Sequence, residues 1–404
     1  MKLITYPPNS VIYKEGEVPQ SIYYIVNGSI STKLFRKEKQ IESGTIGEWG
    51  IYNIPSEESV VTLSETTLYS VNPSEILSSE YSDRILRSMV SSIAQRLLVI
   101  DSELAESREI PEYVGPDKLR FFNRLHPGAY KLTDNIFQDI LQAKRFYVGG
   151  YYREAMEIFA KMMAQVTNEE LKKEIMVWHT LLSMLTDPER AEIHFKRLNP
   201  NEYGDLLSYV YLVNFFKGGQ KQEILEMYMK AGLFVPANTI VTLEGEAALE
   251  GYLILKGYLK AVKLFEDKEI LLSIVGPGEF VGEGAFLDSK VRMVTLYTLS
   301  PTAFIPLNAE VINKTITTNP GFILKICESQ LRRISQVKRL LEIRYQSNPA
   351  QRTISALKYF SELFGKTKIT VRDIAYLVDV NSERVIEEAK HLGFKVSFDG
   401  TIIS

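Results

Sequence analysis

The stretch GPGEFVGEGAFLDSKVR, Gly276 to Arg292, gathers residue types that can hold an anion. Gly276 and Gly278 permit a tight turn, and Gly282 lets backbone approach a bound group closely. Glu283, Gly284, Ala285 and Phe286 can form a short helical turn whose free N–H groups face negative charge. Arg292 follows nine residues after Glu283, where a guanidinium can take a phosphate in bidentate fashion. Glu283 is wrong for phosphate but right for accepting from a ribose hydroxyl. An alternative stays open, in which Arg292 simply pairs with Glu283. A weaker echo, SGTIGEWGIYNIPSEE, runs from Ser43 to Glu58. It places Glu57 nine residues after Glu48, an acid that would repel phosphate.

The elements that must position these residues also repeat. PPNSVIYKEGEVPQSIYYIVNGSI, from Pro7, matches PANTIVTLEGEAALEGYLILKGYL, from Pro236. Gly16 and Gly28 recur as Gly245 and Gly257, both 229 positions later. Alternating β-branched and aromatic runs lie between them, so both copies read as short strands in a small barrel or sandwich. A long helical segment follows each copy. The first carries Leu86, Val90, Ile93, Leu97, Ile100 and Leu104, an apolar heptad seam. The second reads as Cys327, Leu331, Ile334, Leu341 and Tyr345, with Lys338 interrupting. Each seam either packs on its own barrel or pairs with another helix.

Residues 117–232 have helical periodicity. GGYYREAMEIF (Gly149–Phe159) recurs as GGQKQEILEMY (Gly218–Tyr228), an offset of 69. Gly150, Tyr152, Ala155 and Phe159 stand where a tetratricopeptide hairpin places its turn, small and aromatic residues. A plain helical bundle is the other reading. REIPEYVGPDK (Arg108–Lys118) and SNPAQ (Ser347–Gln351) read as linkers.

Val235–Leu307 resembles the cyclic-nucleotide-binding domain through LEGE with Gly245, LILKG with Gly257, GPGEFVGE and the following arginine. The resemblance implies that Gly282, Glu283 and Arg292 hold the ribose and the cyclic phosphate, with the adjoining Gly284 and Ala285 part of the same ligand site. The next position, often Ser or Thr in that family, is Met293, which cannot donate a hydrogen bond. A long-helix residue usually covers the base, and Ser335 and Gln336 are the polar candidates.

The C-terminal stretch from Thr370 reads as helix, turn, helix, with Ile374, Ala375, Val378 and Val385 inward and Asp379 at the turn. In its order after the nucleotide domain and long helix it resembles the winged helix of catabolite activator/Fnr-type transcription regulators. That implies contact with double-stranded DNA through Arg372, Asn381, Ser382, Arg384 and Lys390. Arg384 suits guanine and Asn381 adenine. Against this, Glu383, Glu387 and Glu388 share the helix, and residues 348–404 hold eight Lys/Arg against seven Asp/Glu. Retirement to protein contact is the alternative.

Composition narrows the classes. The chain has 404 residues, 45% hydrophobic and 24% charged, with net charge −3, so several globular domains are expected and a strongly basic nucleic-acid coat is not. No membrane-spanning run or signal peptide stands out, which favours the cytoplasm. One cysteine, Cys327, and four scattered histidines give no metal or catalytic constellation. The expected class is α+β multidomain: a degenerate cyclic-nucleotide-binding-like jelly-roll barrel (1–78), a heptad helix (79–108), tetratricopeptide-like repeats (117–232), a second barrel (233–311), a connecting helix (319–346) and a winged helix-turn-helix (348–404). The expected function is a non-enzymatic regulator sensing a small anion, such as cAMP or another cyclic nucleotide. The alternative is a scaffold that binds a protein through the helical repeats. Under either function, the barrels are expected to pair between two chains as a homodimer or within one chain.

Overall fold

The computed structural model describes residues 2–78, 80–105, 130–131, 134–148, 150–203, 233–265, 268–286 and 291–403. The first β-unit contains β1 (Lys2–Tyr6), β2 (Val11–Tyr13), β3 (Ile22–Asn27), β4 (Ile30–Leu34), β5 (Lys37–Ile41), β6 (Thr45–Ile46), β7 (Glu58–Thr62) and β8 (Thr66–Val71). They form two antiparallel sheets, ordered β1-β8-β3-β6 and β2-β7-β4-β5. After β9 (Tyr130–Lys131), the second unit contains β10 (Leu233–Val235), β11 (Thr239–Thr242), β12 (Glu250–Lys256), β13 (Leu259–Phe265), β14 (Lys268–Val275), β15 (Phe280–Val281), β16 (Thr295–Thr298) and β17 (Thr302–Asn308). Their order, β10-β17-β12-β15 and β11-β16-β13-β14, repeats the first topology, with β9 added in parallel beside β11.

The sequence pattern allows a small barrel or a sandwich, with a jelly-roll barrel expected. Among the described residues the two sheets of each unit share no ladder, so each unit is a two-sheet sandwich. The terminal strands β6 and β15 have two residues each, too short to carry pairing around a corner. The turn glycines have the same cause in both copies. Gly28 and Gly257 have φ of +96° and +83°, and a Cβ on either would lie 2.5 or 2.4 Å from a carbonyl oxygen, of Glu65 or Pro301.

Between the units lie α2 (Asp134–Val148), α3 (Tyr152–Gln165), α4 (Glu169–Thr186), α5 (Pro188–Arg197) and α6 (Pro200–Tyr203). Ala155 is buried and lets α3 and α4 approach, while Phe159 stacks on Trp178 with centroids 5.7 Å apart. Tyr147 meets the same Trp178 edge-on at 5.4 Å. The 108–118 linker and the Gly218–Tyr228 unit lie outside the described residues.

The long helices are α1 (Ser82–Leu104), which precedes this insert, and α8 (Pro320–Arg344), which follows α7 (Ala309–Thr318). They pack on each other within the chain. Arg87 near the start of α1 reaches Asn313 of α7, the helix that leads into α8, and Glu103 near the end of α1 accepts from the Tyr345 hydroxyl at 2.7 Å. Starts meet starts and ends meet ends, so the pair is parallel. The α1 seam is buried throughout. On α8 the matching buried positions are Ile323, Cys327, Gln330, Ile334, Val337 and Leu341. Tyr345 instead sits at the end of the helix, against Phe35 and under Arg36. Lys338, which interrupts the apolar pattern, is buried and crosses to Glu15 and Glu57 of the first unit, at 2.5 and 2.6 Å.

The C-terminal segment comprises α9 (Pro349–Phe360), α10 (Val371–Val378), α11 (Ser382–His391) and a hairpin of β18 (Lys395–Val396) and β19 (Ile402–Ile403). Thr370 and Asp373 form a capping box on α10, and Asp379 turns the chain at φ +51°. Among the described residues no helix is long and apolar enough to cross a membrane.

Candidate functional site

Gly282 follows β15 at φ +88°, and a Cβ there would lie 2.9 Å from Gly251 Cα and 3.1 Å from Arg292 Nη1. Backbone from two strands and one guanidinium therefore meet at this glycine. A 3-10 turn, Glu283–Phe286, begins immediately after it. Gly284 is held against Val291, where a Cβ would lie 2.5 Å from the carbonyl oxygen, and Ala285 is buried beside it. Met293 is buried and offers no donor.

Arg292 and Glu283 do not pair with each other. The Arg292 Nη1 donates to the Glu250 carbonyl at 2.5 Å, and Nη2 to the Glu250 carboxylate at 3.3 Å and the Tyr252 hydroxyl at 3.1 Å. Glu283 accepts from Arg333 Nη1 at 3.2 and 3.3 Å, and the other end of that guanidinium meets Asp101 of α1 at 3.3 Å. Arg333 thus sits between two buried carboxylates. Burial disfavours its charge, but Glu283 and Asp101 overcome this and raise its pKa. Burial lifts Asp101 to about 6, with Arg333 opposing and Glu283 reinforcing. Ser335 and Gln336 are half-buried on α8, beyond Arg333.

The first copy answers its glutamate in the same way. Gly47, at φ +82°, precedes Glu48, and Arg96 of α1 pairs with Glu48 at 2.7 Å and Glu58 at 2.6 Å. The Tyr13 hydroxyl donates to Glu58 at 2.9 Å and accepts from the Gly47 amide at 3.1 Å. The counterpart of Arg292 is Ser56, one residue before the expected Glu57. Gly245 N–H bonds the Arg292 carbonyl and Arg292 N–H the Glu246 carbonyl; Gly16 N–H bonds the Ser56 carbonyl and Ser56 N–H the Glu17 carbonyl. The loop in the first copy is one residue shorter, so counting from the glutamate misplaces the register. The first cradle loses its cation to a serine, while Glu57 points to Lys338.

Residues 3–78 and 233–319 match the family model described as the cyclic nucleotide-binding domain. The chain carries two copies of this domain. Among solved structures it is similar to the c-di-GMP-responsive global regulator Clp of Xanthomonas campestris, at 21% identity over 45% of this chain and 96% of that one, with a TM-score of 0.39. A CRP-family transcriptional regulator from Thermus thermophilus is 16% identical over 42% and 90%, TM-score 0.36. FixK2 from Bradyrhizobium japonicum is 14% identical over 43% and 90%, TM-score 0.36. Among curated proteins none matches this chain.

The second cyclic nucleotide-binding domain also carries the C-terminal helices. Lys260 on β13 pairs with Glu269 at 2.7 Å and with Asp373 of α10, all three buried. Arg344, the last residue of α8, donates to the Leu377 carbonyl at 2.8 Å and the Tyr376 carbonyl at 3.3 Å. A cleft of about 600 Å³ separates the domain from α10, lined by Tyr297, Arg372, Tyr376, Ser382 and Phe398 among others. On α11, Val385 and Ala389 face inward, while Ser382, Arg384 and Lys390 are exposed, as is Arg372 on α10. Glu383 and Glu387 are exposed on α11 too. Asn381 caps α11, its carbonyl oxygen accepting from the Arg384 amide at 3.0 Å. That engages its side-chain oxygen with the helix backbone.

Sequence reasoning missed Glu250, Tyr252, Arg333 and Asp101. One signal was available: Arg96 and Arg333 stand 48 and 50 residues after Glu48 and Glu283, as repeated as the glutamates themselves.

Proposed function

We propose that this chain is a non-enzymatic DNA-binding transcription regulator of the catabolite activator/Fnr type, with a small-anion sensor in its second nucleotide domain. The observation that carries the reading is one helix with two contacts, at its middle and at its C-terminal end. Arg333 of α8 holds the cradle's Glu283, and eleven residues on Arg344 holds the closing carbonyls of α10. A ligand that draws Glu283 away from Arg333 acts directly on the helix that carries α10 and α11, here read as the helix-turn-helix of a winged helix over 348–404. Such a ligand shifts the conformational balance only by its difference in affinity for the two states.

The cradle suits a cyclic nucleotide such as cAMP in kind. A positive-φ glycine, a carboxylate for ribose hydroxyls and a guanidinium for phosphate converge there. The guanidinium is engaged by Glu250, so a phosphate must displace an internal carboxylate. Met293 supplies no compensating donor. Affinity is therefore expected to be modest, and selective for ligands that bring both a phosphate and a ribose. The first domain, with Ser56 at the phosphate position and Arg96 filling its centre, is read as scaffold. Helices α2–α5 are read as a surface for a protein partner.

Thermal melts with cAMP, cGMP and inorganic phosphate test the sensor. A nucleotide that binds the folded form raises the midpoint by mass action, and Arg292→Ala abolishes the shift. No shift with either cyclic nucleotide in the wild type removes the cyclic-nucleotide assignment. Retention of duplex DNA that falls steeply with added salt tests the output.

A further inference from the structure

The two long helices are copies of one seam. Moving 237 positions along the chain takes Leu86, Val90, Ile93, Leu97, Ile100 and Leu104 to Ile323, Cys327, Gln330, Ile334, Val337 and Leu341. All twelve are buried. The same step takes Arg96 to Arg333, each holding the glutamate of its own domain. A seam this repetitive allows three pairings: α1 with α8 in one chain, or α1 with α1 and α8 with α8 between chains.

One position tells them apart. The step of 237 takes Asp101 to Lys338, a pair of opposite charge. Each side chain crosses to the other half. Lys338 on α8 reaches Glu15 and Glu57 of the first domain. Asp101 on α1 reaches Arg333 and lies in the field of Lys263, a buried lysine of the second domain. Pairing α8 with a second α8 would bring Lys338 to the place of Asp101, beside Arg333 and Lys263. The counterpart of Glu15 there is Glu244, buried and already accepting from the Leu264 amide, and that of Glu57 is Met293. Pairing α1 with a second α1 would bring Asp101 beside Glu15 and Glu57, with Arg96 already shared by two carboxylates. Two Gln330 amides could satisfy each other in an α8–α8 pair, the one gain of that arrangement. Buried like charges oppose it at both ends of the exchange.

We infer that the helix seam is specified for pairing inside one chain, so that the working unit is a single-chain pseudo-dimer with one helix-turn-helix, reading an asymmetric DNA site. Symmetric dimers place two reading helices one helical turn apart and require inverted repeats. This chain presents α11 once per seam, and an inverted repeat adds nothing to its contacts. The DNA half of the inference rests on the regulator reading above; the seam half does not.

The experiment measures the mass of the full chain by light scattering, alone and on duplexes selected from a randomised pool. The expected result is one 46.0 kDa chain throughout and a selected motif without inverted symmetry. A twofold larger mass, or a motif of inverted half-sites, overturns the inference. If no duplex is selected, the regulator reading fails and the free mass alone decides the seam. Exchanging the charges, with Asp101→Lys and Lys338→Asp together, should double the mass, because each helix then suits its own copy. A folded, single-chain exchange variant would show that these charges do not choose the partner. If the exchange variant does not fold, the wild-type masses decide.

Discussion

Arg96 and Arg333 do the same work in two copies, each between two buried carboxylates. Arg96 is shared by Glu48 and Glu58 in full burial, and those acids raise its pKa against the penalty of burial. Arg96→Ala leaves both carboxylates uncompensated, and should lower unfolding free energy by about 3–5 kcal/mol in urea titrations. Asp101 behaves differently, because burial lifts it to about 6 despite Arg333. The folded state then binds the proton more tightly than the unfolded chain, so this group's contribution falls as pH rises from about 4 to about 6. Comparing Asp101→Asn with wild type across that window should show the difference moving in favour of the variant, then levelling above pH ~7. Gly282, Glu283 and Arg292 were legible in the sequence because their chemistry demands those types at short spacing. Their partners were not: Arg333 lies 50 residues from Glu283, and Asp101 lies 232 from Arg333. Nothing local in the sequence marks such pairs.

At the level of elements, α1 was readable because its seam is apolar without a break. The α8 seam is harder to read because Gln330 stands where Ile93 stands in α1, and the apolar Leu331 and Tyr345 draw the pattern aside. Gln330 is fully buried, and neither its amide oxygen nor its nitrogen finds a protein partner. Gln330→Leu keeps the volume close and removes that burden, so stability should rise by about 1–3 kcal/mol, read as a higher urea midpoint. A lower midpoint would mean that the amide has a bound water or another partner. The strands of both domains were readable from alternation and their glycines, but not the register after Glu48, because a one-residue difference in loop length leaves no trace in composition. The pattern left barrel and sandwich both open, since closure depends on the lengths of β6 and β15.

Among the described residues, α1 and α8 pack together between the two cyclic nucleotide-binding domains, and α10 and α11 attach to the second. The buried Lys260–Asp373 and Lys260–Glu269 pairs fix that helix pair to the second domain, while Arg344 ties it to α8. Two routes therefore connect cradle to C-terminal segment, one through the sheet and one through the helix. The first domain has Ser56 where the second has Arg292, and it keeps its long helix. The claim that joins these parts is that occupancy at Arg292 changes the hold on DNA. Titrating a selected, labelled duplex with the full chain, with and without saturating cAMP or cGMP, measures that coupling directly. The account predicts a change in DNA affinity of about 5-fold or more for wild type and none for Arg292→Ala. Equal wild-type affinity with and without either nucleotide would contradict it.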